Sequence, residues 1–142
     1  MLNFKEIEIA DKKFCKKFLK NENELSCENS FVNMLIWQST YNYMYAVKDG
    51  NLFIKSNEGN KEVFRLPIGN DVCSGIEEIL KFTGGHLPDF WTPDGKSFRF
   101  IPDSFKKLYD IQEERDSFDY VYLQKDLSEL KGKTYHSKRN HI

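Results

Sequence analysis

The last twelve residues of this 142-residue chain carry the side chains best suited to contact an anion. Residues 131–142 read KGKTYHSKRNHI and contain three lysines, one arginine and two histidines, with no acidic residue among them. Lysine and arginine are the side chains that bind phosphate groups. Three interpretations stay open for this segment: a solvated basic tail, an anion-binding element, or the first turn of a helix that continues.

Helical spacing supports the third interpretation. Tyr135 and Ile142 lie seven residues apart, and Arg139 lies one turn after Tyr135, so the three share one side of a helix over residues 134–142. A helix of this length is too short to be stable unaided.

Other residues whose types could serve catalysis or ligand binding can also be explained as parts of the fold. Residues 113–119 contain four acids that can supply a general base, but on a strand and its turn they fit a solvated sheet edge better: Glu113, Glu114, Asp116 and Asp119. Trp37 and Trp91 can stack on a ligand; we expect Trp37 in the core, whereas both roles stay open for Trp91. No pair of Cys or His residues has zinc-site spacing, so we predict no metal site.

The composition is that of one globular domain. Charged residues make up 30% and the net charge is −1, so binding to a nucleic acid or an anionic membrane must be local. The longest apolar run is residues 43–47, and the N-terminus lacks a signal peptide pattern; the cytoplasm is the expected location. Cys15 and Cys73 lie on apolar helical faces, and we expect both to be buried.

The first half of the chain predicts a strand, two helices and a meander. Alternation over residues 4–9 indicates the strand, and Asp11 is positioned to cap a helix through Lys20. Residues 31–38 form a second helix, expected to be deeply buried because apolar residues nearly encircle it. Asp49-Gly50 between two alternating runs predicts a hairpin, and a turn at residues 56–60 adds a third antiparallel strand.

The second half predicts a helix from Val72 to the Gly84-Gly85 pair, a loop over residues 86–96, and a short strand over residues 97–101. A helix from Asp103 through residue 109 and two closing strands, at residues 110–115 and 118–123, complete the chain. The predicted order is therefore strand, helix, helix, three-strand meander, helix, strand, helix and two strands.

This order excludes a regular βαβ alternation and resembles that of the GNAT-type acyl-CoA N-acyltransferase fold. The resemblance implies an α/β (α+β) lobe in which a mixed central sheet carries helices on both faces. In that family an R/Q-x-x-G-x-G/A motif places the CoA pyrophosphate at a helix N-terminus. Here Arg65 stands four residues before Gly69 rather than three, and Asp71 adds negative charge. We therefore expect no CoA site in this segment and interpret Gly69 as a turn residue.

The last 25 residues closely resemble a segment of the phosphatidylglycerol lysyltransferase C-terminal-domain-like proteins, a bacterial group. The family pattern D-Y-x-Y, then D-L-x-x-L-x-G-K-x-Y-H-x-K-R-N-H-I, is matched at each specified position from Asp119 to Ile142. Residues 30–37, the hairpin and residues 66–69 resemble the family more loosely, so the resemblance covers essentially the whole chain.

The resemblance implies two GNAT-like lobes in tandem, joined by a helix that the K-R-N-H-I stretch opens. On that basis residues 1–130 are the N-terminal lobe and residues 131–142 the start of the connecting helix, cut after one turn. The best-known relatives move lysine from a charged tRNA to a lipid headgroup. Acyl-CoA or aminoacyl-tRNA is thus the expected donor in the full two-lobe protein, and the sequence itself requires no cofactor.

The family's chemistry belongs to the second lobe, so the resemblance assigns no catalytic residue here. It makes five residues candidates for contact with substrate, phosphate or tRNA, although a contact between lobes explains them equally well: Tyr135, His136, Lys138, Arg139 and Asn140. The expected partners are a second GNAT-like lobe or another copy of this chain, and tRNA. We predict a lobe related to acyl- and aminoacyltransferases that is inactive alone; the alternative is a non-catalytic module that binds RNA or protein through the basic C-terminal segment.

Overall fold

A computed structural model describes residues 1–19, 27–91, 97–118 and 121–140, without the side chains of residues 97 and 100. The chain divides by its internal contacts into an N-terminal unit, Met1–Ile111, and a C-terminal unit, Gln112–Ile142. The sequence predicted a boundary at residue 130, between a lobe and a helix that leads to a second lobe. A division by internal contacts does not test that boundary, so it stays a prediction.

One mixed sheet organises the N-terminal unit. Its path runs β1 (Lys5–Glu6), β2 (Met44–Lys48), β3 (Asn51–Glu58), β4 (Lys61–Phe64) and β6 (Asp89–Phe90), and β5 (Ile68–Gly69) pairs with the start of β3. The β4–β6 pair is parallel, and the other pairs are antiparallel. The predicted α/β class with a mixed sheet is confirmed.

The hairpin between β2 and β3 turns at Asp49-Gly50, as predicted. Asp49 has φ +49° and Gly50 has φ +78°, the two positive values that a type I′ turn requires. Lys48 therefore pairs with Asn51, and Tyr45 lies opposite Ile54. The second turn, at Gly59-Asn60, leads into β4 and completes the predicted antiparallel meander.

Successive residues of β3 are buried on opposite faces of the sheet. Leu52 and Ile54 belong to a cluster with residues of α1 (Lys12–Leu19) and α2 (Phe31–Ile36), whereas Phe53 packs with Ile79 of α4 (Val72–Phe82). Helices therefore cover both faces. The predicted helix from Val72 is confirmed, and Gly84 and Gly85 follow it with positive φ.

The second predicted helix is less buried than expected. It divides into α2 and α3 (Gln38–Tyr41), and Trp37 at the junction is 46% exposed rather than part of the core. Only Phe31 and Met34 are buried within α2. The apolar residues encircle the helix, but the sheet can cover just one side of it. Cys15 is buried as predicted, whereas Cys73 is exposed and that prediction was wrong.

The end of the first strand and the start of the first helix also differ from the prediction. β1 is only two residues long, because the chain turns into a 3-10 helix at Ile9–Asp11, where the Asp11 carboxylate binds Lys5 at 2.7 Å and accepts the Glu8 N–H at 3.1 Å. Asp11 thus lies in the turn before α1, and the predicted end of that helix at residue 20 falls outside the described residues.

The predictions after residue 96 failed most often. Ser97–Phe100 is a 3-10 helix rather than a strand, and α5 (Asp103–Lys106) is shorter than predicted, with Pro102 at its N-cap. The described part of residues 110–123 contains a 3-10 helix at Arg115–Ser117 and no strand, so the predicted closing pair is wrong there. Within residues 86–96, β6 interrupts the predicted loop, and residues 92–96 lie outside the described residues.

Glu78 gives the N-terminal unit a testable pH dependence. Hydrogen bonds from Lys48, first, and from Lys81 lower the pKa of the Glu78 carboxyl to about 2. A lowered pKa means that this stabilisation is present above the ordinary pKa near 4.5 and is lost as the pH falls towards 2. We expect Glu78→Gln to reduce the urea midpoint at neutral pH and the difference from the parent protein to shrink between pH 4.5 and 2.

The matched control is Glu77→Gln, which removes the adjacent, exposed carboxylate and leaves the Lys48 contact in place. A difference between Glu78→Gln and the parent that stays constant down to pH 2 would show that the ion pairs do not cause it.

Candidate functional site

The C-terminal unit builds its candidate site from two short helices. α6 (Gln124–Glu129) ends at Leu130, whose backbone has φ +46° and whose N–H donates to the Asp126 carbonyl at 2.8 Å. A 3-10 turn at Lys133–Tyr135 then leads into α7 (His136–Arg139). The helix that the spacing indicated from residue 134 corresponds here to a 3-10 turn followed by four α-helical residues that end at Arg139, and whether it opens a connecting helix stays a prediction. Residues 141 and 142 lie outside the described residues.

Two of the five predicted site residues face their own unit. The Arg139 guanidinium donates to the carbonyl of Leu130 and, at 3.1 Å, to that of Gly132. Tyr135 places its hydroxyl 3.4 Å from the Asp126 carboxylate and its ring 6.4 Å from that of Tyr122. Burial, followed by the Asp126 charge, raises the pKa of Tyr135. Both side chains therefore hold α7 against the segment before it.

The other three, His136, Lys138 and Asn140, are exposed on the same short element. The Asn140 backbone N–H donates to the Ser137 carbonyl at 3.3 Å, and the residue is exposed. The exposed imidazole of His136 and the exposed Lys138 are two residues apart and lie on different sides of the helix, and each can contact a phosphate without displacing a structural contact. The structure thus separates two residues that contact their own unit, of which Arg139 is itself exposed, from three other exposed residues, and the binding role of all five stays a prediction.

Arg139 and Lys138 are expected to respond differently to alanine. Arg139→Ala removes donors to two carbonyls, so amide hydrogen exchange at residues 130–136 should accelerate several-fold, whereas Lys138→Ala should leave it unchanged. Because both side chains are exposed, the double substitution should change the global free energy of unfolding by on the order of 0.5 kcal/mol. Equal exchange rates in the two single variants would contradict the supporting role of Arg139.

A carboxylate occupies the start of α4, the position where the sequence analysis looked for a GNAT-type pyrophosphate motif. Asp71 is the N-cap, and its side chain accepts the Ser74 N–H at 3.1 Å. The Asn51 side chain accepts the Asp71 N–H at 3.2 Å and donates to the Asp71 carbonyl at 2.9 Å. Added phosphate would meet the charge of Asp71 at this helix end. Gly69 lies in β5 rather than in a turn.

Arg65, the basic residue of the same segment, is a buried structural cation. Its side chain is 3% exposed and donates to the Glu28 carbonyl at 2.6 Å and to the Asn29 side chain at 3.2 Å. The guanidinium lies 5.4 Å from the Tyr43 ring centre and 5.2 Å from that of Trp91. Burial raises the pKa of Tyr43, and the Arg65 charge opposes that rise. Arg65 thus fixes the 3-10 turn at Cys27–Asn29 to the sheet.

Sequence reasoning considered Arg65 only as a possible ligand contact and missed this cluster. The available signal was alternation along β4: Arg65 continues the strand, with its N–H bonded to the Ile54 carbonyl at 2.9 Å. Its side chain therefore points to the face that α1 and α2 cover. Trp91, whose role the sequence left open, is half-buried beside Arg65.

Other candidate chemistry is sparse in the described residues. Glu113, Glu114 and Asp116 are exposed at or beside the 3-10 turn Arg115–Ser117; Asp119 lies outside the described residues. Within the described ranges, no three Cys, His, Asp or Glu side chains come together as a metal site would require. None of the helices in those ranges has the length and apolar character needed to cross a membrane.

Comparison with known proteins identifies one family and one solved structure. The family described as "Phosphatidylglycerol lysyltransferase, C-terminal" matches residues 20–142. The crystal structure of a conserved protein of unknown function from Bacteroides thetaiotaomicron VPI-5482 is similar to this chain at 28% identity and a TM-score of 0.78. The similarity covers 100% of this chain but 49% of that one, so this chain spans about half the length of that relative. No curated protein matched.

Proposed function

Because the chain belongs to the phosphatidylglycerol lysyltransferase C-terminal family, we propose that it acts as one GNAT-like lobe of an acyl- or aminoacyltransferase-related protein and needs a second lobe for turnover. The observation that carries the proposal is the coverage: a family match over residues 20–142, beside a similar chain that is about twice as long. The proposed compartment is the bacterial cytoplasm, where aminoacyl-tRNA is made.

The order of elements supports the GNAT-like assignment. A strand, helices, an antiparallel meander and a further helix follow one another, and β6 then returns beside β4 on a sheet that helices cover on both faces. The resemblance to GNAT-type enzymes led us to expect this order as far as α4, whereas β6 lies within residues 86–96, which the sequence predicted as a loop.

The chemistry at the start of α4 supports the need for a second lobe. The Asp71 carboxylate accepts a helix amide that a pyrophosphate would use, and the Asn51 carboxamide holds the Asp71 backbone in place. Arg65, the nearby cation, is committed to Glu28, Asn29 and two aromatic rings. An acyl-CoA or aminoacyl-tRNA donor would therefore need groups that this segment does not offer.

Turnover by the isolated chain is the direct test. We expect residues 1–142, incubated with labelled acetyl-CoA or with charged tRNA, to transfer no label above a reaction without protein. The Asp71→Asn variant should be assayed in parallel, because it removes the negative charge at the start of α4 and keeps a side chain that can cap the helix. Robust transfer by the monomeric parent chain would overturn the proposal and favour a self-sufficient small N-acetyltransferase.

A non-catalytic RNA-binding module is the second candidate, favoured by the exposure of Lys138 and His136 on α7. If this surface binds tRNA through phosphates, affinity should fall steeply with salt concentration. Lys138→Ala should then lower the salt slope by about one unit and weaken binding to all tRNA sequences alike. Lys125→Ala, on α6, is the matched control. Binding that does not vary with salt would exclude a phosphate-based interface.

A further inference from the structure

Helices α2 and α3 expose a ridge of apolar side chains on the N-terminal unit. Their exposed fractions are 47% for Val32, 67% for Ile36, 46% for Trp37 and 37% for Tyr41. The spacing of four residues from Val32 to Ile36, and again from Trp37 to Tyr41, keeps them on neighbouring turns, and the Trp37 and Tyr41 rings lie 6.0 Å apart. We call these four residues the Trp37 ridge.

The ridge lies in a part of the chain without charge. Residues 29–47 contain no Asp, Glu, Lys, Arg or His, although charged residues make up 30% of the chain. Helix α1 is different, since it exposes four lysines: Lys12, Lys13, Lys16 and Lys17. The four ridge side chains carry no charge, so by themselves they do not attract the phosphates of a nucleic acid or an anionic membrane. Exposed tryptophan, tyrosine and aliphatic side chains with no charge among them are typical of the centre of a protein–protein interface.

We propose that the Trp37 ridge is the surface through which two copies of this chain associate in a symmetric dimer. A neutral apolar surface can meet itself about a two-fold axis without like-charge repulsion, which the lysines of α1 would cause. The exposed neutral side chains of Ser39, Thr40 and Asn42 border the ridge and can hydrogen-bond across the contact.

The area of the ridge limits the strength of the dimer. A stable interface removes roughly 800 Å² from each partner, whereas one large aromatic side chain contributes on the order of 150–250 Å² when it is fully buried. Four partly exposed side chains supply only part of that area, and their polar neighbours must supply the rest. The dimer is therefore weak, with dissociation in the micromolar range or above, and it depends strongly on Ile36 and Trp37.

The test measures the mass of the full chain by sedimentation equilibrium from low micromolar to near-millimolar concentration. The parent chain should approach the dimer mass, and Ile36→Glu, which brings two carboxylates together at the symmetric contact, should raise the dissociation constant at least about tenfold. Leu108→Glu is the matched control, because Leu108 is also in the N-terminal unit and 56% exposed. Circular dichroism and the urea midpoint establish that each variant is folded.

Three results would overturn the proposal: a parent chain that stays monomeric throughout, a dimer that Ile36→Glu leaves intact, or an equal loss in Leu108→Glu. A parent monomer would assign the ridge to a different protein surface, such as the remainder of a longer polypeptide. The readout is mass alone, so its outcome is independent of the turnover experiment that tests the proposed function.

Discussion

Replacement of Gly69 by alanine is expected to destabilise the N-terminal unit by about 3 kcal/mol, the upper part of the range for overpacking a close contact. A Cβ at this position would lie 2.6 Å from the Asn51 side-chain oxygen and 2.9 Å from the Asn51 Cα, far inside normal contact distance. Backbone rather than a flexible chain end blocks the space, so little can move to relieve it. The measurement is the free energy of unfolding from urea denaturation.

The consequence of this substitution should spread to the start of α4. Asn51 is 2% exposed, and its carboxamide makes both hydrogen bonds to the Asp71 backbone. If alanine pushes Asn51 away, Asp71 loses these contacts, and the cap on Ser74 weakens with them. Amide exchange in the first turn of α4 should therefore accelerate more than exchange in its last turn.

Gly59→Ala is the control for glycine loss alone. Gly59 has φ +62°, but nothing lies within 4 Å of an added Cβ. Its replacement should cost only the backbone strain of roughly 1–2 kcal/mol. If the two variants were equally stable, the space around Gly69 would be available to a ligand, and a phosphate-binding role for this glycine would be open again.

Local signals predicted the N-terminal unit well because its elements carry strong ones. Asp49-Gly50 specifies a turn through backbone sterics alone, and the register of β2 and β3 follows from that turn. Gly84 and Gly85 likewise end α4 through positive φ. In both places the chain's own conformational preference and the tertiary packing agree.

Sequence signals whose outcome depends on packing against other elements were less reliable. The apolar circumference of residues 31–38 predicted deep burial, but burial also needs neighbours on every side, and Ile36 and Trp37 have none over much of their surface. Phe118 and residues 121–123 are of aromatic, β-branched and apolar types that favour a strand, yet a strand also needs a partner with free hydrogen-bonding groups. Periodicity reports what a segment can bury, whereas the rest of the fold decides whether it does.

The candidate site could be located from sequence only in part. The motif match drew attention to residues 135–140, but hydrogen bonding separates two exposed cations: Arg139 donates to the carbonyls of Leu130 and Gly132, whereas Lys138 makes no such contact in the structure described. Two adjacent cations in one motif have different surroundings, and no spacing rule distinguishes them. The cluster around Arg65 was missed because its partners, Glu28 and Tyr43, are 37 and 22 residues away in the chain.

Replacement of Arg65 by leucine is expected to destabilise the N-terminal unit by about 3 kcal/mol, since removing one partner of a buried ion pair costs roughly 3–5 kcal/mol when the other charge stays buried. Leucine is apolar and leaves the Glu28 carbonyl and the Asn29 side-chain oxygen without their donor. The Glu28 carboxylate, 3.7 Å from the guanidinium, is 35% exposed, so water can solvate part of its charge. That exposure places the expected loss at the lower end of the range.

Arg99→Leu is the matched control for Arg65→Leu, because Arg99 is exposed and its replacement should change the free energy of unfolding by no more than about 0.5 kcal/mol. Arg65→Lys adds a second comparison: it keeps the charge but loses the planar group whose donors reach two acceptors while it lies over the rings of Tyr43 and Trp91. Its stability should lie between those of the parent and Arg65→Leu.

If Arg65→Leu were as stable as the parent, the guanidinium would be free to serve a ligand, and the case for a donor site in another lobe would weaken. If stability falls as expected, Arg65 is part of the scaffold, and the cations open to an anionic substrate must be sought elsewhere, with Lys138 the first to test.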